Sequence, residues 1–142
     1  MKLLILGLGY SAGFFARAAL AKGWEVTGTV RSAEKAAGLS REGIRTLVFG
    51  GFAVSRPLAA AVAEADAVLV SVQPDEEGDP ALRTLADGLA AAPGLKWIGY
   101  LSTIGVYGDH GGAWIDESAE CRPTSRRSKQ RLEIDRDWLA FG

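Results

Sequence analysis

The sequence holds one cysteine, one histidine and one methionine in 142 residues. Cys121 alone cannot close an internal disulfide. One cysteine with one histidine, His110, does not make a closed zinc site, so no metal centre is expected. A lone free thiol fits a reducing compartment, and the expected location is cytoplasmic. Neither sign of charge is in excess: sixteen basic and seventeen acidic side chains leave a formal net charge of −1. That balance supplies no attraction to nucleic acid or to an anionic membrane, and neither is expected as a partner. No stretch approaches the ~18 apolar residues of a membrane span. Lys2 followed by Leu3 to Leu6, with Ala19-Leu20-Ala21 as a cleavage site, has the outline of a signal peptide. The run is short, however. Gly7 and Gly9 break it and Arg17 interrupts it, so the segment reads as part of the fold.

What is present is apolar material in short pieces. Apolar residues make up 48% of the chain, enough for one packed core, and the length fits one domain. Leu3 to Leu6 is a continuous apolar run, as a strand buried on both faces should be. Ala12 to Ala21 reads as a helix ending near Gly23, and Trp24 to Val30 as a second strand. Ser32 caps a short helix over Ala33 to Leu39. A third strand over Ile44 to Phe49 precedes a helix over Ser55 to Ala65, with Pro57 in its first turn. Ala67 to Val72 is the fourth strand. Asp79 then caps a helix opened by Pro80, with Leu82, Leu85 and Leu89 as its apolar stripe. Trp97 to Ser102 is the fifth strand, and a last helix runs from about Thr124 to Phe141. Strand and helix alternate throughout, which predicts an α/β doubly wound parallel sheet in the order 3-2-1-4-5, with helices on both faces. The alternation calls for another strand after Phe141-Gly142. The expectation is therefore a single dinucleotide-binding domain over residues 1–142, cut before the next strand of a longer protein.

Gly7-Leu8-Gly9-Tyr10-Ser11-Ala12 matches the dinucleotide fingerprint, with alanine in the third glycine slot. Gly7 permits the tight turn out of the strand, and Gly9 lets the backbone approach a pyrophosphate. Ala12 is small enough for the helix to pack on the strand. The free N–H groups at the helix start, from Tyr10 and Ser11 onward, face the anion. The context of strand, loop, helix and second strand is the confirming one. NAD binders place an acid at the end of the second strand. Here that strand ends Gly28-Thr29-Val30-Arg31-Ser32 with no acid before Glu34. Arg31 as a charged fork and Ser32 as a donor at a helix start suit a 2′-phosphate, so NADP is the expected cofactor and NAD the alternative.

The segment Leu101-Ser102-Thr103-Ile104-Gly105-Val106-Tyr107-Gly108-Asp109, followed by Asp116-Glu117 and Pro123, resembles the short-chain dehydrogenase/reductase superfamily. It most resembles atypical members of the NAD(P)-dependent epimerase/dehydratase branch. The resemblance runs from the glycine loop to the end of the chain. It implies a Rossmann-type fold with a C-terminal substrate region beyond this length. It also implies a catalytic Ser or Thr, a Tyr, and a Lys four residues after the Tyr, relaying a proton beside hydride transfer. Thr103 falls in the first slot. Counting back from Glu133 puts the Tyr slot at Ser125 and the Lys slot at Lys129. Ser125 is a departure, because a serine hydroxyl is a weaker acid than a phenol and too short to reach the same point. By the same resemblance, Tyr107 belongs to the substrate pocket, and the strand end at Ser71-Val72-Gln73-Pro74 passes the cofactor ribose. Where the family often carries an acid after the third strand, this chain has Gly50.

The remaining features read more plainly. His110 lies beside Asp109 in a glycine-rich loop, as a solvated residue. Lys129–Glu133 and Arg131–Asp135 sit at i, i+4 and read as a solvated helix face. Ile134, Trp138 and Phe141 form a core or interface stripe, and Trp24 and Trp97 read as packing residues. The fifth strand, with Trp97, Ile98, Tyr100 and Leu101, would leave an apolar sheet edge prone to pairing with another chain, so a homo-oligomer is expected. The expected function is an NAD(P)-dependent oxidoreductase or epimerase/dehydratase-like protein acting on a small polyol or nucleotide-sugar type of substrate. The alternative is a catalytically impaired NADP(H)-binding sensor or regulator.

Overall fold

The computed structural model describes residues 1–39 and 42–142. Leu3, Leu4, Ile5 and Leu6 are each at most 1% exposed and form most of strand β1 (Lys2–Leu6). The chain continues through helix α1 (Tyr10–Ala21), β2 (Glu25–Val30), α2 (Ala33–Leu39), β3 (Arg45–Val48), α3 (Arg56–Ala63), β4 (Ala67–Val70), α4 (Pro80–Ala90) and β5 (Trp97–Tyr100). The five strands pair in the order β3-β2-β1-β4-β5, every neighbouring pair parallel. The expected order is therefore the observed one. From β1 the chain steps outward to β3, then returns past β1 to β4 and β5. Right-handed crossovers in the two directions put α1 and α2 on one face and α3 and α4 on the other. The strands at the centre carry the burial this demands: β4 is buried at all four positions. Each fully buried Leu, Ile or Val there contributes about 1.5–3 kcal/mol.

Helix starts follow the local signals. Ser55 caps α3, with its side chain accepting the N–H of Leu58, and Pro57 sits in the first turn. Asp79 caps α4, its Oδ1 accepting from Ala81 at 2.7 Å and Leu82 at 3.0 Å. Leu85 and Leu89 are buried, whereas Leu82 is half-buried. Several ends differ from expectation by two residues, among them β5, which closes at Tyr100 rather than Ser102, and the last helix, which opens at Arg126 rather than Thr124. α1 opens at Tyr10 rather than Ala12, because Gly9 itself takes the N-cap position. β4 leaves the ladder at Val70 rather than Val72, because Ser71 and Val72 border the first glycine of the loop after β1. Trp97 is 46% exposed. It packs by stacking on Phe15, with ring centroids 6.4 Å apart.

The chain divides into two compact units, Met1–Tyr100 and Leu101–Gly142. The first is the sheet with its helices. The second holds a single 3-10 turn at Ile104–Val106, a loop, and α5 (Arg126–Phe141). Its loop is closed at the base, where the N–H of Arg122 donates to the carbonyl of Tyr107 at 3.1 Å. His110 joins the same closure, with Nε2 at 3.1 Å from the Tyr107 carbonyl and 3.2 Å from that of Glu120. Carbonyls only accept, so Nε2 carries the proton. The histidine is thus a loop fastener rather than a solvated residue. Arg131 also departs from expectation: it is buried, with its guanidinium donating to the carbonyl of Leu101. Asp135 accepts from the Ser102 hydroxyl at 2.7 Å. That part of α5 is not a solvated face. Ile134 and Trp138 are buried as the stripe predicts. No helix among the described residues is long and apolar enough to cross a membrane.

Candidate functional site

Doubly wound sheets bind ligands at the carboxyl ends of their strands, where the strand order reverses. Here the order reverses between β1 and β4, with β2 flanking β1. A cleft of about 200 Å³ opens there. Six of the nine cofactor candidates line it: Gly7, Gly9, Arg31, Ser32, Ser71 and Gln73. Tyr10, Ser11 and Ala12 do not. They form the first turn of α1, where Ala12 is buried against the sheet and the exposed Tyr10 ring packs edge-on against Phe14 at 5.1 Å.

The geometry of the turn explains its glycines. Gly7 has φ +89°, and a Cβ there would stand 2.8 Å from the backbone nitrogen of Val72. Only glycine fits both the conformation and the close approach. A Cβ on Gly9, a residue that lines the cleft, would by contrast meet nothing within 4 Å. The turn is bonded from within. The N–H of Gly7 donates to Thr29 Oγ1 at 2.8 Å, that of Leu8 to the Thr29 carbonyl at 2.7 Å, and that of Gly9 to the Gly7 carbonyl at 2.8 Å. The intrahelical ladder of α1 begins with Gly13 donating to Gly9 at 2.9 Å. The N–H groups of Tyr10, Ser11 and Ala12 are the orphans of the first turn. No side chain caps this helix, whereas serine or aspartate caps α2, α3, α4 and α5. Uncapped N–H groups and the positive end of the helix dipole together attract an anion.

At the other end of the cleft, Arg31, Ser32 and Lys35 converge. Ser32 Oγ accepts the N–H of Lys35 at 3.4 Å and keeps its own proton to donate. Arg31 has no carboxylate at ion-pair distance among the described residues. Lys35 escaped the sequence reading, although its position three residues into a capped helix was the available signal. Thr29 escaped it too. A hydroxyl inside an otherwise apolar central strand was the signal there.

Thr103, Tyr107, Ser125 and Lys129 all belong to the second unit. Thr103 caps the 3-10 turn, with Oγ1 accepting from the N–H of Gly105 at 3.3 Å. Gly105 packs on Ser128, whose Oγ would be 2.8 Å from a Cβ at that position. Ser128 in turn bonds to Ser125. The structure therefore gathers Thr103, Gly105, Ser125 and Ser128 around one turn. Tyr107 is half-buried and follows that turn directly, and Lys129 is exposed on α5. A second cavity, about 350 Å³, opens at the opposite, amino end of the strands. Lys2, Glu25, Arg45 and Glu64 line it with charge of both signs, two of them already paired as Lys2–Glu64 at 2.8 Å.

A family model described as NAD(P)H-binding matches residues 8–133. The chain belongs to this NAD(P)H-binding family. A functionally unknown conserved protein from Silicibacter pomeroyi DSS is 37% identical, with a TM-score of 0.82 over 99% of this chain and 49% of its own. A candidate NAD-dependent epimerase/dehydratase from Methylobacillus flagellatus is 28% identical, with a TM-score of 0.75 over 98% of this chain and 50% of its own. The dTDP-glucose 4,6-dehydratase of Bacillus anthracis str. Ames, in complex with NAD, shares the fold at 17% identity and a TM-score of 0.76. It covers 99% of this chain, which covers 50% of it. The NAD(P)H-binding chain thus spans about half the length of these solved structures. None of the curated proteins compared matches it.

Proposed function

We propose that this NAD(P)H-binding chain takes NADPH in preference to NADH, with the pyrophosphate at the Gly7–Ala12 turn and the 2′-phosphate between Arg31, Ser32 and Lys35. The carrying observation is the pair of cations and the hydroxyl at the end of β2, in the place where an NAD binder needs an acid. A doubly charged phosphate gains charge-assisted hydrogen bonds there. The open space beside Gly9 fits a phosphate approaching the backbone, and the three orphan N–H groups of α1 fit its charge. Ser71 and Gln73, on the β4 side of the cleft, would border the ribose. The cofactor, when bound, supplies hydride chemistry. The expected activity is oxidoreductase or epimerase/dehydratase-like, on a small polyol or nucleotide-sugar type of substrate. Thr103 and Lys129 would orient the substrate oxygen and its proton, and Tyr107 would line the pocket.

A second reading is an NADP(H)-binding sensor or regulator without turnover. The observation favouring it is that the Ser125 hydroxyl, in the slot of the family's phenol, serves as the cap of α5. Fluorescence titration of NADPH and NADH against the wild type, Arg31→Ala and Lys35→Ala tests the cofactor assignment. The wild type should favour NADPH by about tenfold or more, and each variant should lose most of that preference. Equal affinities in all three proteins would overturn it. NADPH oxidation over a panel of carbonyl substrates separates the enzyme from the sensor.

A further inference from the structure

We propose that Thr29 is a positioning residue for the phosphate turn, holding it in its anion-binding shape from inside the sheet. The inference rests on the reading of Gly7–Ala12 as the cofactor cradle. Thr29 lies in β2, is 1% exposed, and sits where a β-branched apolar residue would fill the same volume. What valine would lack is the hydroxyl, and that hydroxyl accepts the N–H of Gly7 at 2.8 Å. The neighbouring carbonyl contact, from Leu8 at 2.7 Å, comes from the backbone and survives any side chain. The preceding residue completes the anchorage: a Cβ on Gly28 would stand 2.9 Å from Leu8 Cδ2, so its absence lets the Leu8 side chain lie down on β2.

The consequence for the ligand follows from the bond pattern. Gly7 is the pivot of the turn, at φ +89°. Its N–H is taken by Thr29 Oγ1 and so is not offered to a ligand in the cleft. Without an acceptor, a part-buried N–H drives its peptide to rotate toward another partner. Rotation at the pivot carries Leu8, Gly9 and the first turn of α1 with it, so the orphan N–H groups leave their common aim. The hydroxyl of Thr29, a residue at the wall of the same cleft, thus acts through Gly7 by fixing the turn. The same strand ends at Val30, directly before Arg31 and Ser32, so one strand both sets the phosphate turn and carries the ribose-side residues.

The test compares Thr29→Val, Thr29→Ala and Thr29→Ser in the full chain. NADPH affinity is read by fluorescence titration, adenosine 2′-monophosphate affinity by calorimetry, and the Gly7 amide proton by NMR. Adenosine 2′-monophosphate carries the 2′-phosphate but no pyrophosphate, so it does not use the turn. Thr29→Val should weaken NADPH by about tenfold, leave adenosine 2′-monophosphate within about twofold, and shift the Gly7 amide proton upfield. Thr29→Ser should restore all three readouts. Thr29→Ala, which adds no bulk, gives the same comparison if valine disturbs folding. Wild-type NADPH affinity in the valine and alanine variants, or a parallel loss for both ligands, would overturn the inference and leave the cradle reading intact. Failure of the wild type to bind either dinucleotide would overturn the cradle reading, and the inference with it.

Discussion

The hydroxyl of Ser125 accepts the backbone N–H of Ser128 at 3.0 Å and lies 2.9 Å from its side-chain hydroxyl. Both contacts belong to the N-cap of α5. A cap of this kind satisfies one of the four orphan N–H groups of the helix. Its removal in Ser125→Ala should destabilise α5 by about 1 kcal/mol, whereas Ser125→Asp, which caps as well, should not. Amide hydrogen exchange over the first two turns of α5 measures this directly. Unchanged exchange in Ser125→Ala would show that the cap contributes nothing.

Gly7 and Gly9 should fail differently. In Gly7→Ala the new methyl meets backbone that cannot move aside, at a φ that itself costs about 1–3 kcal/mol for a residue with a Cβ. The expected result is a large fall in thermal midpoint. Gly9→Ala places its methyl in open space at φ −92°, so the fold should be unaffected. Its methyl would occupy the approach of the phosphate, and NADPH affinity should fall by about tenfold or more. Thermal unfolding and NADPH titration of both variants check the contrast.

The acid limit of stability should trace to the amino end of the sheet and to the loop before α4. The N–H of Lys2 donates to Asp66 at 2.7 Å and holds its carboxyl below the ordinary value of 3.8. The Lys2 ammonium does the same for Glu64, and the Arg83 guanidinium for Asp75. A carboxylate whose folded pKa is depressed stabilises the fold above its unfolded pKa and loses that contribution as pH falls through the folded value. Stability should therefore hold from neutral pH to about 5 and decline below the ordinary carboxylate range. Lys2 titrates above its ordinary 10.5, so its contribution is full below that value and fades only as pH rises through the raised one. Urea unfolding across pH 2.5 to 7 should show a shallower acid decline in Asp66→Asn than in the wild type.

The loop over residues 107–122 depends on two features, each checkable alone. Gly108 has φ +73°, and a Cβ there would collide with the carbonyl of Arg122, so Gly108→Ala should open the loop base. His110→Ala removes the donor that ties Tyr107 to Glu120. Both variants should be cut faster by a nonspecific protease at Gly111-Gly112, with cleavage mapped by mass spectrometry. Wild-type cleavage rates would mean that the Arg122–Tyr107 bond closes the loop by itself.

Much of this architecture was legible in the order of residues, because its signals are local. Runs such as Leu3 to Leu6 bury on both faces at the centre of a parallel sheet. Ser55 and Asp79 start helices by accepting N–H groups two or three residues on, and Pro80 by its fixed φ. The glycine spacing at Gly7 and Gly9 fixes a turn and leaves open space beside Gly9, and right-handed crossovers then restrict the strand order. The sequence could also show that no acid follows β2 before Glu34, and that Arg31 and Ser32 stand there instead. It could not show Thr29 reaching Gly7, because 22 residues separate them and only the pairing of β1 with β2 brings the hydroxyl under the turn. Nor could it place Lys35 beside Arg31 at one cleft, fasten His110 to two carbonyls, or bury Arg131 in a helix rich in charge. Those contacts depend on the folded path of a loop or helix, which no single local signal specifies. A hydrogen bond of 2.8 Å exists only after the backbone on both sides has been fixed by packing.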